Sequence, residues 1–350
     1  MKLINDVKLG FTDILILPQT STLSSRSEVS LEQTINFSKG NFTWTGVPII
    51  ASNMDTVGTF SAAKVLSKFK INTAIHKFYS LESWIKFCTQ EASDEHNIYD
   101  YLTFTTGITS NDEERLHQVL QALPDIKFIC IDVANGYTDT FLHFVEKISN
   151  KYYDKIIIAG NVVTPNITEK LFDIGVDMVK VGIGSGSVCT TRIKTGVGYP
   201  QVSAIMECAE VARNLGKFII SDGGCVNPGD VSKALCSGAN FVMLGGMLAG
   251  HIESEGEVIE KNGEKYVDFY GMSSSDAMNK YFGSVAKYRS SEGKKVSLKL
   301  RGNIENTVLD IMGGIRSTCT YINASSVEEM YNKATFIKVR EQENKIFNSY

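Results

Sequence analysis

A glycine-rich segment delivers a single cysteine: Lys180-Val-Gly-Ile-Gly-Ser-Gly-Ser-Val-Cys-Thr-Thr-Arg192. An apolar, strand-like run (Asp177, Met178, Val179, Lys180, Val181) leads into glycines at 182, 184 and 186, which present Cys189 among Ser187, Thr190, Thr191 and Arg192. A thiol at the end of such a loop is placed for nucleophilic chemistry, and the hydroxyls and guanidinium beside it suit proton transfer or anion binding. A glycine turn carrying a small buried cysteine is the competing reading, and the rest of the chain has to decide between them.

Similar punctuation recurs at the ends of other apolar runs. Ser52-Asn53-Met54-Asp55, His76-Lys77, Asp132-Val133-Ala134-Asn135-Gly136, Gly160-Asn161, Ser221-Asp222-Gly223-Gly224 and Gly245-Gly246 each close a short β-branched stretch. The stretches themselves are Val47–Met54, Ile71–Lys77, Leu102–Ile108, Lys127–Ala134, Lys155–Val162, Met178–Gly184, Phe218–Gly224 and Phe241–Gly246. Helical patterns separate them, including Phe60–Phe69, Leu81–Glu91, Asn111–Leu123, Asp139–Lys151, Pro165–Ile174, Gln201–Leu215 and Pro228–Ser237. Thr164-Pro165 and Asn227-Pro228 each set a capping residue before a proline at the first helical position. Eight strand–helix repeats predict a (β/α)8 barrel of the α/β class, against a doubly wound open sheet, since no GxGxxG follows the first strand.

In such a barrel the strand ends form the catalytic rim. The last two strands offer bare backbone to a phosphate at Asp222-Gly-Gly224 and Gly245-Gly246, and Asp222 suits a ribose diol. A nucleoside monophosphate satisfies both. A long insertion, about residues 248–303, follows strand eight. It reads as a hairpin turning at Asn262-Gly263, then Gly271-Met-Ser-Ser-Ser275, then Tyr288-Arg-Ser-Ser-Glu-Gly-Lys294 and a further strand Val296–Leu300, a flap able to close over the barrel mouth.

Composition removes several classes. The 350 residues carry a net charge of −4 with no basic tract, which disfavours nucleic-acid binding. No apolar run approaches the roughly 20 residues that span a bilayer, and the first ten residues lack the apolar core of a signal peptide. Seven scattered cysteines (Cys88, Cys130, Cys189, Cys208, Cys225, Cys236, Cys319) without a CxxC pair suggest neither a disulfide framework nor a zinc site, so a reducing cytoplasm is expected. The whole chain is expected to be one barrel domain.

In combination these motifs resemble the IMP dehydrogenase and GMP reductase family. The carriers are Gly10-Phe-Thr-Asp-Ile-Leu-Ile-Leu-Pro18, Ser52-Asn-Met-Asp-Thr-Val57, Asp132-Val-Ala-Asn-Gly136, the Cys189 loop, Ser221-Asp-Gly-Gly224, Met243-Leu-Gly-Gly246 and Tyr270-Gly-Met-Ser273. The resemblance runs from about residue 5 to 340. Family dehydrogenases usually carry regulatory modules after the second barrel strand; here Lys77 runs straight into Phe78-Tyr-Ser-Leu-Glu82 and a helix. The flap resembles that of the family's reductases and lacks the Arg-Tyr pair with which the dehydrogenases activate water. Ile75-His-Lys-Phe-Tyr79 and Arg316-Ser-Thr-Cys-Thr-Tyr321 point the same way.

The resemblance implies reductive deamination of GMP to IMP with NADPH, in purine salvage. Cys189 would be the nucleophile at C2 of the base, with Thr191 and Glu292 as proton relay. Substrate contacts would come from Ser187, Asp222, Gly223, Gly224, Gly245, Gly246, Gly271, Met272, Ser273, Arg289, Ser290, Ser291 and Gly293. Cofactor contacts would come from Lys77, Asp132, Val133, Ala134, Ile183, Gly184, Met272, Tyr288 and Arg289. Ser25, Arg26, Ser317, Thr318, Cys319 and Thr320 match positions that reach the adenosine end, with Arg26 suited to the 2′-phosphate. Gly184, Gly186, Cys189 and Arg192 match a K+ site built mainly of backbone carbonyls. A homotetramer is expected, with Phe42, Trp44 and a C-terminal helix near Val327–Arg340 contributing contacts. One departure stands out: the family usually has proline where this chain has Ser185, which predicts a looser loop with its chemistry retained. The readings to be separated from this one are an IMP dehydrogenase without regulatory modules, a silent nucleotide-binding barrel and a flavin enzyme.

Overall fold

Eight parallel strands close into a barrel in simple chain order, each followed by a helix on the outside. The computed structural model describes residues 1, 3–91, 97–283 and 290–340. The strands are β1 (Ile49–Ala51), β2 (Asn72–Ile75), β3 (Leu102–Thr106), β4 (Phe128–Asp132), β5 (Ile156–Val162), β6 (Met178–Val181), β7 (Phe218–Asp222) and β8 (Phe241–Leu244). The helices are α1 (Phe60–Leu66), α2 (Leu81–Glu91), α3 (Ser110–Ala122), α4 (Asp139–Lys151), α5 (Pro165–Asp173), α6 (Gln201–Asn214), α7 (Pro228–Cys236) and α8 (Ile304–Tyr321). β8 pairs with β1, so no edge is left open. Only residues 76–80 separate β2 from α2, which leaves no room there for a regulatory module.

The predicted strands are all present but shorter, and most lose residues at their carboxyl ends. β1 stops at Ala51 because Ser52 turns the chain, its carbonyl accepting from Met54 N–H at 2.8 Å. β6 stops at Val181, before the glycines of the cysteine loop. Capping side chains start most of the helices where the sequence set them. Thr109 and Asp112 form a reciprocal capping box on α3, and Asn227 accepts from Asp230 N–H at 3.0 Å on α7. Thr164 is the exception: its hydroxyl pairs with the Tyr137 hydroxyl at 2.9 Å and makes no side-chain cap on α5.

An antiparallel hairpin, Gln33–Phe37 with Phe42–Gly46, plugs the amino-terminal end of the barrel. Phe37 meets Phe128 and Phe218 edge-on at 5.8 and 5.4 Å, and Trp44 packs on Phe241 at 5.1 Å. Phe128, Phe218 and Phe241 are the first residues of β4, β7 and β8, which fixes the end being closed. The expectation that Trp44 forms subunit contacts is therefore corrected: it is 1 % exposed and spends its indole N–H on the Asp100 carbonyl at 3.0 Å. Phe42 is half-buried against the same aromatic cluster. The C-terminal segment also differs from a single helix. A 3₁₀ turn (Val327–Glu329), one helical turn (Met330–Lys333) and a strand (Phe336–Lys338) follow one another, and the strand pairs with Ile14–Ile16.

The insertion after β8 forms a three-stranded antiparallel sheet (Val258–Lys261, Glu264–Tyr270, Lys295–Lys299) and a helix (Ser275–Phe282). The first two strands join through Asn262 and Gly263 at φ of 53° and 77°, the left-handed pair that a tight hairpin requires.

Candidate active site

Cys189 lies half-exposed at the carboxyl-terminal mouth of the barrel, and the other six cysteines are buried. Its Sγ donates to the Thr191 hydroxyl at 3.2 Å, which in turn donates to Glu292 Oε2 at 2.8 Å. The three groups form one chain of hydrogen bonds that crosses from the barrel loop to the flap. Backbone pairing holds that crossing: Thr190 N–H donates to the Glu292 carbonyl (2.9 Å), Lys294 N–H to Val188 (2.9 Å) and Glu292 N–H to Ser273 (3.1 Å). Cys189 and Gly293 face each other as an antiparallel bridge.

The cavity beside this relay opens to solvent at the barrel mouth. Of the residues proposed from sequence, Cys189, Thr191, Glu292, Asp222, Gly223, Gly271, Met272, Ser273, Asp132, Val133, Ala134, Ile183, Gly184 and Gly186 line it. Ser52, Asn53, Met54 and Asn161 join them from neighbouring strand ends. Gly223 takes φ 87°, and a Cβ there would sit 2.7 Å from Ser185 Oγ. That loop is thus bare backbone at the position where a phosphate would be cradled. Ser187 and Gly246 adjoin one another at the cavity edge; a Cβ on Gly246 would meet Ser187 Oγ at 2.6 Å. Gly245 lies against Met54, and Gly224 against Phe11.

Other proposed residues stand outside the cavity lining. Lys77 pairs with Asp112 at 3.2 Å on the rim, and burial of Asp112, which alone would raise its pKa, is outweighed by Lys77 and by hydrogen bonds from Thr109. Ser290 is exposed, and Ser291 accepts from Ser275 N–H at 3.0 Å, tying the flap helix to the flap loop. The 3₁₀ turn that opens at Arg26, capped by Ser25, packs on α8. On α8 the hydroxyls of Ser317 and Thr320 bond within the helix, Thr318 also reaches Ser232, and Cys319 is fully buried. Tyr288 and Arg289 lie outside the described residues.

Two structural points were not foreseen from the motifs. Ser185 Oγ donates to the Asp222 carbonyl at 3.0 Å, so the loop that lacks proline gains a tether to the glycine loop after β7. Lys180, fully buried inside the barrel, sits 2.5 Å from Asp132 and 3.4 Å from Asp222. Burial alone would pull the Lys180 ammonium pKa down, but the two carboxylates raise it well above its usual value; Lys180 and Asn53 likewise hold Asp132 below the usual carboxylate range despite its burial. The sequence signal was available: in the apolar run Met178-Val-Lys-Val, alternation puts Lys180 on the same inward face as Met178.

The flap is also fastened away from the relay. Asp55, on the turn after β1, accepts at Oδ2 from Tyr270 (2.5 Å), Tyr281 (2.5 Å) and Lys280 (2.9 Å), all from the insertion. Tyr281 stacks on Phe78 of the rim after β2. Among the described residues no group of three His, Cys, Asp or Glu side chains is placed to hold a metal, and no helix is long and apolar enough to cross a membrane.

A closed (β/α)8 barrel with a hydrogen-bonded cysteine on the loop after β6, bare glycine backbone after β7 and a carboxyl group reaching it from an insertion after β8 is the frame of a barrel enzyme. Residues 8–345 match the family described as IMP dehydrogenase / GMP reductase domain. The chain is 57 % identical over 349 residues to the GMP reductases of Enterobacter sp. (strain 638) and Klebsiella pneumoniae, and 55 % identical to that of Yersinia pestis, covering the full length of each. The chain belongs to the IMP dehydrogenase / GMP reductase family.

Proposed function

We propose that the chain catalyses the reductive deamination of GMP to IMP, with NADPH as reductant and ammonia released. The observation that carries this reading is the hydrogen-bonded relay Cys189–Thr191–Glu292. Its donors run in one direction, from thiol to hydroxyl to carboxylate. Moving one proton along it leaves a thiolate at Cys189 and a neutral acid at Glu292. The thiolate attacks C2 of the guanine ring, and the bound Glu292 proton leaves through Thr191 on the departing amine. The product is ammonia and a Cys189 thioimidate, with every atom and charge balanced. Covalent attachment divides a difficult displacement into two easier ones. When bound across the mouth, NADPH supplies the hydride that takes the place of sulfur at C2. The thiolate is then released with IMP, and one proton from solution resets the relay.

Other residues in and around the cavity support positioning. Gly223 and its neighbours Gly224, Gly245, Gly246 and Ser187 present backbone and hydroxyl groups to the phosphate, and Asp222 accepts from the ribose diol. Asp132, Val133, Ala134, Ile183, Gly184 and Met272 form the face that fits a nicotinamide ring and its ribose, with Lys77 on the rim beyond. Arg26 and the α8 hydroxyls would serve the adenosine end, in a tetramer that places them against a neighbouring mouth. A cation at the cysteine loop would rest on the carbonyls of Gly184, Gly186, Cys189 and Arg192. An all-carbonyl donor set suits a large monovalent ion such as K+ better than a transition metal.

The deciding assay follows NADPH oxidation at 340 nm with GMP, for wild type and Cys189→Ala. Turnover lost in Cys189→Ala supports the reading. XMP formed from IMP and NAD+, without GMP-dependent NADPH oxidation, assigns the chain to the dehydrogenase side of the family instead. Replacing K+ by Li+ should lower the rate severalfold; an unchanged rate removes the cation site. Native mass spectrometry reads the tetramer directly.

A further inference from the structure

Lys180 is the one fully buried cation in the cavity lining among the described residues, and the barrel makes room for it. Gly160, its neighbour on β5, has no side chain, and a Cβ there would lie 2.6 Å from Lys180 Cβ. The ammonium reaches Asp132 on β4 at 2.5 Å, Asp222 at the end of β7 at 3.4 Å and Asn53 Oδ1 after β1 at 3.4 Å. Asn53 donates to the other oxygen of Asp132 at 3.0 Å, and Asn161 donates at 2.8 Å to Asp222 Oδ2, the same oxygen that faces Lys180. The two carboxylates are therefore no more than about 6 Å apart through one shared nitrogen.

We propose that Lys180 is a positioning residue: it binds Asp132 and Asp222 into one ion cluster and so couples the cofactor-side and substrate-side faces of the cavity. This rests on the reading above, in which Asp222 faces the ribose of GMP and Asp132 that of NADPH. With Lys180 present a cation lies between the two carboxylates, and each keeps lone pairs free to accept from a diol. Without it the two carboxylates face each other across the cavity with no cation between them, and their mutual repulsion disfavours the doubly charged pair. The other groups facing the cluster cannot substitute. Cys130 lies on the same inward face of β4 with its thiol pushed up to about 12 by burial, so it stays neutral, and Lys77 acts on Asp132 only from the rim. Asn53 and Asn161 do not titrate.

The test uses the full-length chain with Lys180→Gln, which keeps an N–H donor and removes the charge, and with Asp132→Asn. For Lys180→Gln the expected result is a rise of tenfold or more in KM for both GMP and NADPH. The acid limb of kcat/KM should also move up by at least one pH unit relative to wild type; ligand phosphates titrate alike in both proteins and cancel. For Asp132→Asn, GMP affinity measured by calorimetry with no cofactor present should change at least threefold, because Lys180 then pairs with Asp222 alone. KM values within twofold and an unmoved acid limb in Lys180→Gln overturn the proposal. If Lys180→Gln does not fold, an unchanged GMP affinity in Asp132→Asn overturns it. A wild type that neither binds nor turns over GMP overturns both this inference and the functional reading. A wild type that does both, with the variants unaltered, overturns the inference alone.

Discussion

Replacing Glu292 by Gln tests the relay at its acid end. The amide fits the same space and still accepts from Thr191 at the 2.8 Å separation, so the flap contacts from Thr190, Ser273 and Val188 survive. What is lost is a group that can hold the thiol proton and release it on the amine. General acid catalysis of this kind is worth about 10²–10⁴ in rate, or roughly 3–5 kcal/mol of barrier. GMP turnover should therefore fall by about that factor, with KM for GMP changed far less. The hydride half-reaction needs no leaving amine. Mixing the variant with IMP and NADP+ at alkaline pH, where solvent base can take the Cys189 proton in place of Glu292, should still give a burst of NADPH absorbance, as the thiolate adds at C2 and hydride passes from C2 to NADP+. Stopped-flow absorbance and ammonia release separate the two halves. A Glu292→Gln variant with wild-type turnover would refute the assigned acid, and one that loses the burst and turnover equally would show that Glu292 holds geometry only.

Three further perturbations bear on the same frame. Ser185→Ala removes one neutral hydrogen bond to the Asp222 carbonyl, about 1 kcal/mol, and should raise KM for GMP severalfold; Ser185→Pro restores the ring restraint and should keep most activity, and a large loss there contradicts the loop reading. Asp55→Asn removes the charge that collects Tyr270, Tyr281 and Lys280, so iodoacetamide should alkylate Cys189 severalfold faster as the flap loosens; equal alkylation rates would show that the flap is held elsewhere. Burial holds the His76 imidazole down at about 4, against 6.5 when unfolded. The unfolded chain therefore takes up a proton that the folded chain refuses, and stability falls as pH drops from 6.5 towards 4, by an amount on the order of 3 kcal/mol at most. Urea titrations of wild type and His76→Gln should show this slope reduced in the variant, and parallel slopes would discount it.

The barrel was legible because its signals are local. Eight β-branched runs with capped helices between them survive as eight strands, trimmed mainly where the carboxyl ends turn into the rim. The Cys189 loop and the Asp222 loop were legible for the same reason: glycine and a reactive side chain within a few residues. The rest depends on contacts between distant segments. Trp44 reads as an exposed aromatic until the hairpin is folded under the barrel, where β4, β7 and β8 present their first phenylalanines to it. Lys180 reads as one polar residue in a strand until closure of the barrel brings Asp132 and Asp222 from 48 and 42 residues away in sequence to its ammonium. Thr164 carried a sound capping signal, but the Tyr137 hydroxyl won its side chain.

The bridge between Cys189 and Gly293 ties two events that a looser design would leave independent. A flap that lifted to admit substrate would break the pairing that also aligns Thr191 with Glu292. With the flap lifted, Cys189 would lose its route for a proton and the acid beside it, and an empty or half-filled cavity would not consume reductant. The same few hydrogen bonds that hold the flap down also align the proposed relay, which would make the flap a safety catch on the chemistry as well as a cover over it.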